Sequence, residues 1–281
     1  WIVPWTFGQI LKLFDTANPF VLQIFQAFLW MACLFLFRRT WPRAPNWAWV
    51  LFGFSPVLGF LLFKLYADTW ILLGGLLLLL AIQRNLKWAI ILASAFLIGI
   101  KREGFLQIFV LSLTWMLLMH GRTRWRALWA LGFGALFFAL YALYVKYVAP
   151  PVPGDLEIGN QFAELRTYTH KIPRIFGYYL DVLFRLNHWI VLWPVVFWKL
   201  WKKGGTVGWA SIPMFLFLLL MPLGFLIYPE SVYREVVLSG TFRPLVHVLP
   251  TAWLLLRASI STHEESGPCS DSGLSAGGHA A

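Results

Sequence analysis

Charge is what this chain has least of. Only 12% of its 281 residues are Asp, Glu, Lys or Arg, against roughly 25% in an ordinary soluble domain. That scarcity excludes a globular fold wetted on all sides. Cysteine is almost absent as well. Cys33 lies inside an apolar run and Cys269 in a polar tail, which leaves no disulfide framework and no metal-ligand spacing. No Walker loop, zincin motif or Gly-rich dinucleotide turn occurs. No internal repeat is evident either, which weakens the case for a repeat-built transporter. A start methionine is missing, and no basic segment or small-residue cleavage site precedes the first apolar run. The expectation is therefore a fragment, opening at Trp1 in mid-phrase.

Apolar residues fill the space that charge leaves. They make up 59% of the chain, with 17 Trp and 25 Phe. Runs long enough to approach the span of a bilayer core fall near 19–37, 46–63, 69–83, 87–101, 104–119, 127–147, 186–200, 207–228 and 242–256. These predict an all-α, polytopic transmembrane helix bundle of about nine spans, several short enough to tilt or sink into the bundle.

The formal charge of +11 could suggest nucleic acid, but its distribution argues otherwise. Arg38, Arg39 and Arg43; Arg84 and Lys87; Arg122, Arg124 and Arg126; Lys199, Lys202 and Lys203; and Arg257 all fall on one side if the spans alternate. By the positive-inside rule that side is cytoplasmic. The acids check this independently: Asp15, Asp68, Glu103, Asp155, Glu157, Glu164, Asp181, Glu230 and Glu235 fall on the opposite face. Only Glu264, Glu265 and Asp271 of the tail do not. Nine spans starting outside also place the C-terminus inside.

Three regions follow. Residues 1–18 read as an external amphipathic segment, and 19–257 as the transmembrane domain with an external loop at 149–185. Residues 258–281, rich in Ser and Gly, read as a disordered cytoplasmic tail. Trp and Tyr near the span ends read as interface anchors.

Three polar constellations converge on the outer face. The first is Lys64-Leu-Tyr66-Ala-Asp68. An Asp costs roughly 2.5–3.5 kcal/mol at mid-bilayer and less near the edge, so its presence asks for a reason. Three roles are open to Asp68: a metal ligand, a group that orients an acceptor, or a cap on the helix that follows. The second is Lys101-Arg102-Glu103-Gly104, a tight turn between two spans. It is either a solvated loop with an internal ion pair or a phosphate site made by two cations at a helix N-terminus. The third runs from Ser239 to Pro250. There Arg243 and His247 are four apart and share a helix face; a snorkelling arginine and a packed histidine are the plainer alternative. Several cations around one or two carboxylates suit an anionic lipid head group.

The order of these segments resembles the GT-C superfamily of integral-membrane glycosyltransferases. The relevant features are Ser55-Pro56, then Tyr66-Ala67-Asp68 before a Leu-rich span, a basic turn, and Lys101-Arg102-Glu103-Gly104. Phe242-Arg243 through Leu249-Pro250 matches the family's late "Arg…Leu-Pro" stretch. The branch resembled uses polyprenyl-phosphate-linked sugars and includes protein mannosyltransferases and aminoarabinose transferases. The resemblance covers roughly residues 1–256. It implies sugar transfer to a glycan, lipid or protein acceptor at the external or periplasmic face. The Trp-rich, short-loop style points to a bacterial inner membrane, and the clustered basic residues point away from nucleic acid. It implies Asp68 as a catalytic acid or metal ligand. Lys101, Arg102 and Arg243 would bind the donor phosphate, with Tyr66, Glu103 and His247 in support. A divalent cation, Mg or Mn, is the one cofactor left open. Family members carry a further span and an external loop with the principal acid ahead of the segment that Trp1 opens, so the chain is expected to be catalytically incomplete as it stands. The rival readings are a transporter or flippase for a lipid-linked anion and a non-catalytic membrane protein.

Overall fold

The structure is a computed structural model that describes residues 6, 9, 12, 19–53, 68–101, 103–148, 169–184, 192–223 and 242–264. Among these, 92% are helical and none lies in a strand. The helices are α1 Pro19–Thr40, α2 Asn46–Gly53, α3 Asp68–Arg84, α4 Lys87–Ile100, α5 Glu103–Leu118, α6 Arg126–Tyr147, α7 Ile172–Phe184, α8 Leu192–Lys203, α9 Gly205–Leu220, α10 Phe242–His247 and α11 Leu249–Glu264. Short 3-10 turns precede α6 and α7, at Gly121–Trp125 and Thr169–Lys171.

Among the described residues, three helical stretches are long and apolar enough to cross a membrane: Phe20–Thr40, Gly121–Tyr147 and Gly205–Leu223. Helices α4 and α5, with 14 and 16 residues, are apolar but shorter. At 1.5 Å per residue they reach about 21–24 Å, less than the ~30 Å hydrocarbon core. Each apolar run read from the sequence nevertheless has a helix at its position. The last helix continues to Glu264, six residues past the expected start of the tail at 258. Residues 265–281 lie outside the described part.

Sequence explains where α3 stops and α4 begins. Asn85 takes a left-handed φ of 55°, a conformation its short polar side chain tolerates. The Leu86 N–H then bonds Ala81 O and the Asn85 N–H bonds Ile82 O, at 3.0 and 3.2 Å. This is the paired closure that satisfies the last carbonyls of a helix. The chain reverses, and α3 and α4 pack side by side. Trp70 and Phe96, with ring centroids 6.2 Å apart, fix their register.

Helix α3 is the centre of the bundle, packing against α1, α4, α5, α10 and α11. Most of its residues are buried, including Ile71, Leu72, Leu76, Leu78, Leu79 and Ile82. Gly74 and Gly75 allow neighbours to come close. A Cβ at Gly75 would overlap the Gln107 side chain of α5 and the Pro250 ring of α11. Helix α6 is the opposite case, burying only Ala127, Ala130 and Gly134. On α1, Phe20, Ile24, Phe28, Met31 and Phe35 form an exposed stripe at helical spacing. Such a stripe is suited to lipid rather than water.

Tryptophan divides into two populations, and the expectation that those near span ends are interface anchors does not hold for the buried ones. Trp88, Trp201 and Trp209 are exposed, whereas Trp41, Trp70, Trp115 and Trp253 are buried. Trp253 sits among Phe37, Trp41, Trp49 and Phe52 at centroid distances of 4.9–5.8 Å, all edge-to-face. Its Nε1–H donates to Thr40 Oγ1 at 3.0 Å, and Thr40 Oγ1 donates to Phe37 O at 2.9 Å.

One core position is mismatched. Gln107 is 2% exposed, and neither end of its amide has a hydrogen-bond partner among the described residues. An unmet buried amide costs about 1–3 kcal/mol. Gln107→Met, of similar length and without polar hydrogens, should raise the melting temperature in detergent. A clear fall would mean that the amide holds a water or a ligand group.

Candidate functional site

Asp68 is the first residue of α3, where the helix dipole favours an anion. Its side chain is fully buried, and Oδ1 lies 2.9 Å from Nε2 of His247, the last residue of α10. His247 is 2% exposed. Burial without a partner would be costly for either group, and the pairing answers it across 179 residues of sequence. When Asp68 is ionised it accepts, so Nε2–H must donate. In the neutral imidazole Nδ1 then carries the lone pair. Nδ1 is buried and has no partner among the described residues.

Lys101 follows α4 directly, its N–H bonded to Leu97 O at 3.3 Å. Its Nζ lies 3.3 Å from Glu103 Oε1 at the start of α5, with both side chains partly exposed. The antiparallel α3–α4 pair brings the end of α4 back to the start of α3, so Lys101, Glu103 and Asp68 share one end of the bundle. The turn is tight because Gly104 donates to Lys101 O at 2.9 Å, and a Cβ there would strike the Leu97 carbonyl. Backbone cannot yield as a side-chain tip can. Gly104→Ala should therefore lower stability by about 1–3 kcal/mol, and more than Gly75→Ala, where the obstacles are side-chain atoms, the movable Gln107 amide and the edge of the Pro250 ring. Parallel thermal melts of the two variants check this order.

Tyr66 and Arg102 lie outside the described residues. Arg243 belongs to α10, one turn before His247, but its side chain lies outside them too. No family model, curated protein or solved structure matches this chain.

Among the described residues, no three His, Cys, Asp or Glu side chains gather to hold a metal. Asp68 and His247 offer one carboxylate oxygen donor and one imidazole. A Mg or Mn ion commonly takes one or two carboxylates and completes its shell with phosphate oxygens and water, so this set fits such an ion only in company with a phosphorylated substrate.

Sequence reasoning placed Asp68 and His247 on the same face without pairing them. The available signal was physical: two buried polar groups at the same end of a bundle, one an acid and one an imidazole, satisfy each other at least cost.

Proposed function

We propose that the protein is an integral-membrane glycosyltransferase. In this reading it moves a sugar from a polyprenyl-phosphate donor to an acceptor at the external face of a bacterial inner membrane. About nine spans cross that membrane, and the C-terminus is cytoplasmic. The observation that carries the reading is the buried Asp68–His247 pair at the end of the bundle that also holds Lys101 and Glu103.

The reaction is a displacement at the anomeric carbon. The acceptor oxygen forms the new bond, the bond to the lipid phosphate breaks, and the acceptor proton passes to a base. Asp68 is sealed from solvent and acts through His247: it holds Nε2–H and leaves Nδ1 as the basic atom. Lys101, with Arg102 and Arg243, offsets the charge growing on the leaving phosphate, and such preorganised charge is commonly the largest catalytic contribution. Glu103 holds Lys101 in place.

Two observations support the membrane setting. Cations lie over tryptophan rings where the basic clusters fall: Arg38 over Trp49 at 5.7 Å, and Lys87 over Trp129 at 5.1 Å. That arrangement suits a membrane interface. Helices α1, α3, α4, α5 and α9 carry no charge in their interiors, whereas a transporter usually wants charged or broken helices at mid-membrane.

The test is transfer of labelled sugar from a polyprenyl-phosphate donor, using membranes that carry the intact gene product. Movement of the intact lipid without transfer would replace this reading with the transporter.

A further inference from the structure

A second feature lies at the far end of α3. Seventeen residues separate the two helix ends inclusively, so Asp68 and Arg84 stand roughly 24 Å apart. Around Arg84 a cavity of about 590 Å³ opens between α1, α3, α5, α6 and α11. That volume lies within the ~300–1,000 Å³ range of small-molecule sites. Among the described residues, Arg39, Arg84, Arg126 and Arg257 line it, and no Asp or Glu does.

Two of these arginines have a structural task. Arg126 Nη1 donates to Gln83 O at 3.0 Å, and Arg257 Nη1 to Thr40 O at 2.6 Å. Both acceptors are carbonyls in the last turns of α3 and α1, which lack helical partners. A carbonyl orients a guanidinium without neutralising it. Arg39, Arg84 and Arg126 therefore bring their charge to a cavity that two helix C-termini, at roughly −0.5 each, only partly offset. Arg39 and Arg84 are exposed and belong to the last turns of α1 and α3. Thr40, Gln83 and Thr123 also line it, and the apolar part of the wall is formed by Leu80, Trp115, Met119 and Leu254.

We infer that this cavity binds a phosphate-bearing anion, held by guanidinium groups through paired N–H···O bonds. The apolar wall fits the glycerol and upper acyl region of an anionic phospholipid, and basic pockets between helices at this end of a bundle take such head groups. The site is separate from the Asp68–His247 pair and does not depend on a transfer reaction there.

The test uses the full chain purified in neutral detergent, with phosphatidylglycerol and soluble glycerol phosphate as probes and native mass spectrometry as readout. Arg39→Gln combined with Arg84→Gln leaves both carbonyl bonds intact. With about a fivefold loss per cation, it should weaken phosphatidylglycerol binding roughly thirtyfold. Arg122→Gln with Lys202→Gln, two cations outside the cavity lining, should leave binding unchanged. If glycerol phosphate competes at equal strength, the phosphate site stands and its source is soluble. If glycerol phosphate fails to compete, the site is for lipid. Equal losses in the two double variants, or no binding of either probe, would overturn the inference.

Discussion

Replacing Asp68 with asparagine should cut sugar transfer by at least about a hundredfold while the bundle stays folded. Asparagine has nearly the same shape, and its amide oxygen can still accept from His247 Nε2–H across the 2.9 Å contact. What disappears is the negative charge that sets the imidazole tautomer. Positioned acid–base groups typically contribute 10²–10⁴-fold. His247→Gln should cost a similar factor, because the proposed basic atom goes with it. The double variant should be little worse than the worse single one, since two residues acting as a unit do not add. Initial rates at matched expression, measured beside melting temperatures, separate this from a purely structural role. An interhelical polar bond in a membrane bundle averages only about 0.6 kcal/mol. If activity and stability fell together across the series, the pair would be such a bond and its assigned chemistry would be gone.

The helices were readable from the sequence because a bilayer imposes a simple rule: backbone must be satisfied within each span, and apolar length marks the span. The Asn85 turn and the polar Lys101–Gly104 turn fall where the apolar runs break. Partners across the bundle were not readable in the same way. Asp68 offered a cap, a ligand or an acceptor-orienting group with equal economy, and only packing α10 against α3 selects His247 as its neighbour. The basic cavity was hidden for a related reason. Arg39, Arg84, Arg126 and Arg257 belong to four separate clusters that the positive-inside expectation already accounts for, so nothing in their spacing announces a shared cavity. Trp253 was hidden too, since a tryptophan near a span end usually anchors at the interface, and its 0% exposure depends on α1 and α2 closing over it.

Trp253→Ala should lower stability by about 3 kcal/mol, the low end of the range for emptying a large aromatic site. The low end applies because lipid is as apolar as the side chain, so the water-transfer part of the loss does not arise between helices in a membrane. Lost packing remains. Four edge-to-face ring pairs, each worth roughly 0.5–1.5 kcal/mol, disappear together with the bond from Nε1–H to Thr40. Thr40 ends α1, and its carbonyl is also held by Arg257, one turn after Trp253. The two side chains therefore clamp the end of α1 to α11, and removing one weakens the grip of the other. Trp253→Phe divides the effect: it keeps most ring contact and loses the N–H, for about 1 kcal/mol. Denaturant titration in detergent should rank wild type above the phenylalanine variant and that above the alanine variant. Because Arg39, Thr40, Leu254 and Arg257 line the basic cavity from these same two helices, the alanine variant should also lose anion binding there. A melting temperature within a degree of wild type would mean that the Trp253 cluster does not hold α1 to α11.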